Sequence, residues 1–493
     1  MSSRREIAIG VSLMVRACRV VFGVAALAAC AASRGSAGSG GAPGGASSDA
    51  APLAITHVAV VPMDSERVLA DQTVLVRGDR IVAVGPASTV APPPGARRID
   101  GRGGYLIPGL VDAHLHLVEE RRVPRPLDDA ISHDFAARAV AAGVTTALTL
   151  CSSERGLAVR DSIARGEMLG PALFVSPPCL DDSTMTARQG DSIATAAHAR
   201  GFDFLKVYTR LSAEGFHGIT DAARRLGMPV LGHIPTRVGL AGVLGAGIAD
   251  IAHAEEFLYN APFHLVSYQQ ADSVPDLDPR HVPVVAHAVH SAGAAVTPTL
   301  IAYGTILDQA VDLDAVLARP EYRDVPLDVQ RARGWLAPEN GRARRLGTPV
   351  ALSRLRAALA VQRQLVRALE DSGVTLLAGT DAGGDIPLVP GPSLHDELAA
   401  LVEAGLTPYQ ALRAATANAG AFLSDRFHAA PRGTVTPGAR ADLVLLSADP
   451  LVDIHNTTRI RGVLLRGRWL PAAAAGAPGA DSVAGASRPG RGR

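Results

Sequence analysis

The stretch Gly109-Leu-Val-Asp-Ala-His-Leu-His-Leu117 places His114 and His116 two residues apart in an apolar, strand-like run. Alternate residues of a strand face the same way, so both imidazoles can meet one metal ion. A single His-Leu-His can also be two histidines hydrogen-bonded on a half-buried strand. Its company changes the reading. Lys206 stands in Phe-Leu-Lys-Val-Tyr, His233 in Leu-Gly-His-Ile-Pro, His253 in Ile-Ala-His-Ala-Glu-Glu and Asp381 in Leu-Leu-Ala-Gly-Thr-Asp-Ala-Gly. Each ends a short apolar run and is followed by turn chemistry, the position at which a (β/α)8 barrel carries its active-site residues.

Outward from these runs, apolar strands alternate with helical stretches, the pattern of a parallel sheet with crossover helices. The eight predicted strands are 105–116, 143–150, 172–176, 202–209, 229–233, 248–253, 294–300 and 374–380. Eight such units close an α/β TIM barrel over residues 105–430. The stretch from Ala302 to Ser372, rich in Arg, Ala and Leu, reads as extra helices that either lid the site or buttress the barrel.

Short alternating strands flank the barrel on both sides: Ile55 to Val61, Thr73 to Arg77 and Arg80 to Val84 before it, Ala441 to Leu446 and Ile460 to Arg466 after it. Gly78-Asp79 marks a hairpin. Neither set can bury its own face, so residues 53–104 and 431–470 are expected to form one composite β-sandwich. A chain of 493 residues accommodates this pair of domains.

The first fifty residues read as targeting sequence. Arg16 and Arg19 precede the apolar run Val20 to Ala29, too short to span a bilayer but suited to a signal peptide, and Met14 is an alternative start. Leu27-Ala-Ala-Cys30 resembles a bacterial lipoprotein cleavage box, with lipid on Cys30 and an exported, envelope location; an ordinary secretory signal is the alternative. Residues 31–52 would be a flexible tether and 471–493 a disordered tail. Export leaves Cys151 and Cys179 in an oxidising compartment, after the second and third predicted barrel strands, and a disulfide between these neighbouring loops is expected.

Lys+Arg 48 against Asp+Glu 47 gives a net charge of +1, with no long-range field toward nucleic acid or an anionic membrane. A small molecule is the expected substrate, and the oligomeric state, a homo-oligomer included, stays open.

His, Asp and a divalent ion such as zinc suit one another. Lys206 does not, because an ammonium is repelled by a dication. It fits either as a carbamate formed with carbon dioxide, an anionic ligand between two metals, or as an ammonium paired with Asp381 or a neighbouring acid beside a single metal.

Together Pro-Gly-Leu-Val-Asp-Ala-His-Leu-His, Phe-Leu-Lys-Val-Tyr, Gly-His-Ile-Pro, Gly-Thr-Asp-Ala-Gly and Gly438-Ala-Arg-Ala-Asp-Leu-Val-Leu-Leu446 resemble the amidohydrolase superfamily. Within it they are similar to the imidazolonepropionase-like and carboxylated-lysine dipeptidase branch, over nearly all of Leu53 to Leu470. The resemblance implies a metal-dependent hydrolase of a carbon–nitrogen bond. His114, His116 and Asp381 would hold one metal and His233 and His253 a second. Lys206, as carbamate, would bridge them, and Asp381 would shuttle the proton from attacking water to the leaving amine. Lys206 departs from true imidazolonepropionases and argues against that activity. A dipeptidase, an esterase or a phosphotriesterase could use the same site, and a non-catalytic envelope binding protein is the reading outside enzymes. Asp112 and Tyr208 are candidates beside the ligands, Tyr208 as a substrate contact. His395 and Glu397, after the last strand, are further ones, with His395 touching substrate, capping the following helix or facing water.

Overall fold

The computed structural model describes residues 51–118, 125–263 and 277–472. The expected leader, the lipid site at Cys30, nearly all of the tether and the tail beyond residue 472 lie outside the described residues. Among the described residues no helix is long and apolar enough to cross a membrane.

Seven short parallel strands and one extended segment form the central ring. Leu110–Leu115, Val144–Thr149 and Ala172–Val175 pair as one sheet, and Leu205–Val207, Val230–Gly232, Asp250–Ala252 and Ala295–Thr297 as another. Backbone hydrogen bonds join the two. The Asp203 amide donates to Val175 O (2.9 Å) and the Leu180 amide to Lys206 O (3.0 Å). On the other side the eighth segment closes the ring: the Val296 amide donates to Thr375 O (3.0 Å), the Ala113 amide to Ala378 O (2.9 Å) and the His116 amide to Ala382 O (2.8 Å). The chain is thus a (β/α)8 barrel.

The hydrogen-bonded strands are shorter than predicted: His114 and Lys206 still lie within Leu110–Leu115 and Leu205–Val207, whereas His116, His233, His253 and Asp381 stand just beyond the ends of their segments, in backbone that turns outward. Val111 and Ala113, Leu148, Phe204, Leu231, Ala249, Ala295 and Leu377 meet inside the ring as a packed core. Phe422 and Leu423, on the helix Ala417–Phe427, belong to the same cluster.

One predicted strand is corrected. Residues 105–116 are two strands: Tyr105–Pro108 pairs antiparallel with Leu443–Leu446 in the terminal sheet, and only Leu110–Leu115 belongs to the barrel. Gly109 is the joint. A Cβ there would stand 2.2 Å from Thr145 Oγ1, so the chain can press against the second strand only without a side chain. Apolar periodicity runs unbroken through this change of sheet, which is why the sequence hides it.

The flanking strands form one continuous eight-stranded sheet from both ends of the chain, with Leu53–Val60 at its centre and Leu443–Leu446 joined to it through Tyr105–Pro108. The sheet curls: the Ile81 amide donates to Ala439 O (3.0 Å) and the Ala441 amide to Asp79 O (2.8 Å), so its first hairpin meets the C-terminal segment around a core of Ile55, Val74, Leu106, Leu443 and Leu464. The expected sandwich is therefore one curled sheet.

The helices inserted after strand seven grip the loop that follows strand eight. Trp335, fully buried, donates its indole N–H to Gly384 O (3.0 Å), the Tyr322 hydroxyl donates to Pro387 O, and Arg342 pairs with Asp385 (3.1 Å). Of the two expected roles, this part of the insertion buttresses a loop of the carboxyl-terminal face. Cys151 and Cys179 are joined as a disulfide across the loops after strands two and three, their Cα atoms 4.5 Å apart.

Candidate metal centre

Four histidines, one lysine and one aspartate converge at the carboxyl-terminal mouth of the ring. His114 and His116 alternate on strand one, and both Nε2 atoms point at Asp381 Oδ1, at 3.2 and 2.9 Å. The donor atoms of these three residues all lie within 4.8 Å of one another, the arrangement of a metal site. His114 Nδ1 is buried with no hydrogen-bond partner. The rings then run on in an arc: His114 to His253 with centroids 4.5 Å apart, His253 to His233 at 4.7 Å, and His233 to Tyr208 at 3.9 Å. Lys206, fully buried, reaches in from strand four with Nζ 3.4 Å from His114 Nε2. All six predicted ligands are therefore brought together, with Tyr208 at their edge.

The backbone is bent where these groups leave their strands. His253 (φ 68°), Thr299 (φ 47°) and Asp381 (φ 61°) are non-glycine residues in the left-handed region, each after the carboxyl end of a ring segment. Such conformations cost about 1–3 kcal/mol apiece and persist where the surroundings impose them, commonly at functional sites.

The electrostatics suit metal ligation. Burial, and next the Lys206 charge, push His114 down to about 3; burial lowers His233 and, more strongly, His253, so the imidazoles are neutral donors. Burial also pushes Asp381 upward, but hydrogen bonds from His114 and His116 outweigh it and hold the carboxylate well below its ordinary range. Burial brings Lys206 down to about 8 against the pull of Asp381, Asp250 and Glu256. Among the described residues no carboxylate lies within ion-pair distance of Nζ.

A second layer orients the ligands. Glu256 Oε1 lies 2.7 Å from His233 Nδ1, and a carboxylate can only accept there, which leaves the lone pair on Nε2. Thr299 Oγ1 lies 2.7 Å from His253 Nδ1. Asp112 accepts from the Thr380 hydroxyl (2.7 Å) and the His114 amide (3.1 Å), tying strand one to strand eight, and burial pushes its carboxyl up to about 7. Asp112 is thus a strand tie beneath the ligands. Glu256 and Thr299 were not singled out from the sequence. The Glu255-Glu256 pair after His253 offered a signal, but only the short 3-10 helix Ala254–Tyr259 decides which of the two turns back toward His233.

His395 is not brought to the cluster. Its Nδ1 is 2.9 Å from Thr457 Oγ1 and its Nε2 3.0 Å from Ala142 O, just before strand two begins, at the opposite end of the ring. Both nitrogens are engaged there, so the residue ties a helix to the terminal region and does not face the mouth.

Gly232 makes the approach of Lys206 possible. It has φ 131°, and a Cβ would stand 2.3 Å from Val207 O and 2.8 Å from Lys206 Cδ. Gly232→Ala is expected to cost about 3 kcal/mol by overpacking and backbone strain, read as a lower urea midpoint, and to weaken metal retention because Lys206 must move. A variant as stable as the parent would show that the close approach is not maintained in solution.

The profile of the amidohydrolase family matches residues 105–470. The chain belongs to the amidohydrolase family. A relative in sequence is adenine deaminase 2 of Bradyrhizobium sp. (strain ORS 278), 31% identical over 232 residues, which are 42% of this chain and 37% of that protein. The match thus spans little more than a third of the deaminase's own length. In structure the chain is similar to a Xaa-Pro dipeptidase with methionine bound in its active site, with a TM-score of 0.63 and 17% identity over 85% of this chain and 100% of the other. It is also similar to the ochratoxinase of A. niger, with a TM-score of 0.60 and 19% identity over 85% and 96% of the two chains. At these identities the structural likeness extends to the fold alone.

Proposed function

We propose that this amidohydrolase is a two-metal hydrolase of a carbon–nitrogen bond in a small molecule. His114, His116 and Asp381 would hold one divalent ion, with zinc the natural match to His and carboxylate donors, and His233 and His253 the other. The observation that carries the two-metal reading is Lys206: a fully buried amine beside His114 Nε2, with no carboxylate in ion-pair distance among the described residues. An ammonium there would face both the desolvation penalty and the charge of a metal. Addition of Nζ to carbon dioxide, with loss of a proton, turns the same side chain into an anionic oxygen ligand between the two ligand groups. The neutral imidazoles of His114, His233 and His253 also fit such a centre.

When bound, the metals acidify water toward a pKa of about 7 and polarise the carbon under attack. The protein's share is positional. Asp381, its side chain 20% exposed, is the ligand carboxylate open to the mouth and takes the proton of attacking water at its oxygen, then delivers it to the leaving nitrogen. Glu256 and Thr299 hold His233 and His253 in one orientation, and Tyr208, stacked on His233, forms a wall for the substrate.

A dipeptide is the second reading of the substrate. It is supported by the dipeptidase among the similar structures and by the proposed export of the chain to the bacterial envelope, with lipid on Cys30. The Cys151–Cys179 disulfide supports that location, since such bonds persist in oxidising compartments.

The test is metal content per chain, by elemental mass spectrometry on protein purified without chelator, followed by a panel of acyl-amides, dipeptides, lactones and aryl esters. Two equivalents and turnover of an amide or dipeptide are expected. One equivalent or none would overturn the two-metal centre, and turnover of esters alone would overturn the bond assignment.

A further inference from the structure

We infer that Glu397 is a positioning residue for the metal centre: it caps the helix after strand seven and thereby releases the Thr299 hydroxyl to orient His253. Thr299 stands at the N-cap of the helix Leu300–Val311. A threonine there ordinarily turns its hydroxyl onto an amide of the first helical turn. This one makes no such bond, and its backbone is left-handed at φ 47°, ψ 44°. Its hydroxyl lies instead 2.7 Å from His253 Nδ1.

The amides left open at the helix start are satisfied from elsewhere. Glu397, fully buried on the helix Pro392–Glu403, accepts from the Ile301 amide at 2.8 Å through Oε2, with the Leu300 amide as a second donor. A carboxylate at a helix N-terminus also matches the dipole there. The cap and the histidine partner are thus divided between two residues, Glu397 on the helix Pro392–Glu403 and Thr299 just past the end of strand seven. Without Glu397, the two open amides compete for the Thr299 hydroxyl, and His253 loses the acceptor that keeps Nδ1 protonated and Nε2 free for a metal. The remaining oxygen, Oε1, is buried with no partner, so no other polar contact explains why an acid stands at this place.

This inference rests on the metal-centre reading, and its test separates the two. Glu397→Asp keeps the charge but draws the carboxylate one methylene back from Ile301, whereas Glu397→Gln keeps an amide oxygen in reach. Zinc affinity by chelator competition is expected to fall about 10-fold in Glu397→Asp and in Thr299→Val, to stay near the parent value in Glu397→Gln, and to fall no further in the Thr299→Val/Glu397→Asp double variant. In metal-free protein labelled with 15N-histidine, the Nδ1–H tautomer of His253 is expected in the parent and lost in both single variants. A lower melting temperature with zinc affinity and tautomer unchanged, or losses that multiply in the double variant, would overturn the inference. A parent chain that holds no zinc, with the Nδ1–H tautomer still lost in both single variants, would overturn the metal-centre reading and leave the positioning role standing.

Discussion

Asp381→Asn is expected to lower kcat by about 10²–10⁴-fold, the usual worth of a positioned acid–base group, with little change in melting temperature. The carboxylate has two tasks at one oxygen. Oδ1 receives the converging Nε2 atoms of His114 and His116 at 3.2 and 2.9 Å, and in the proposed mechanism the same carboxylate would be the proton acceptor. Asparagine has nearly the same shape, so the turn at φ 61° is retained by a residue type that tolerates it. What disappears is the negative charge and the capacity to take a proton from water and return it to a leaving nitrogen. Steady-state kinetics on the substrate found in the panel, together with metal content, separates the tasks: kcat falls even in preparations that keep their metal. Unchanged turnover would mean that the proton moves through another group and that the proposed mechanism is wrong.

Lys206→Met is expected to reduce metal content from two equivalents to one or none, with a loss of activity of about 10²–10³-fold, the scale of losing one electrostatic element of a catalytic site. Methionine matches the length of the lysine stem and places no charge in a fully buried site, so the barrel core is kept and the metal-free protein gains stability. Elemental analysis and thermal melting on the same sample report both effects. Lys206→Gly leaves space at the same place, and added short carboxylic acids are expected to restore part of the activity by supplying the missing oxygen ligand. Retention of two metals in Lys206→Met would return the lysine to the role of a structural ammonium, the alternative left open by the sequence.

Much of the site was legible because its chemistry is local. A candidate ligand at the carboxyl end of a strand needs an apolar run, one polar residue and a turn, and His114, His116, Lys206, His233, His253 and Asp381 each carry that signature within a few residues. Their convergence follows from the fold: parallel strands of a barrel all end at the same face. The groups around the ligands were harder to read, because their partners come from distant parts of the chain. His395 resembles a site residue by its place after strand eight, yet Thr457 and Ala142, far away in sequence, hold both of its nitrogens at the other end of the ring.

The sequence by itself determined the alternation of strand and helix, the contribution of both chain ends to one terminal sheet and the identity of the six convergent side chains proposed as ligands, since each depends on periodicity or on a short motif. Tertiary structure alone decided that strand one breaks at Gly109, that the insertion grips the strand-eight loop through Trp335 and Arg342, and that Glu256 and Thr299 orient His233 and His253. The physical reason is the same in each case. A hydrogen bond or a forbidden Cβ contact is set by distances of 2–3 Å between residues that packing, and not chain order, brings together.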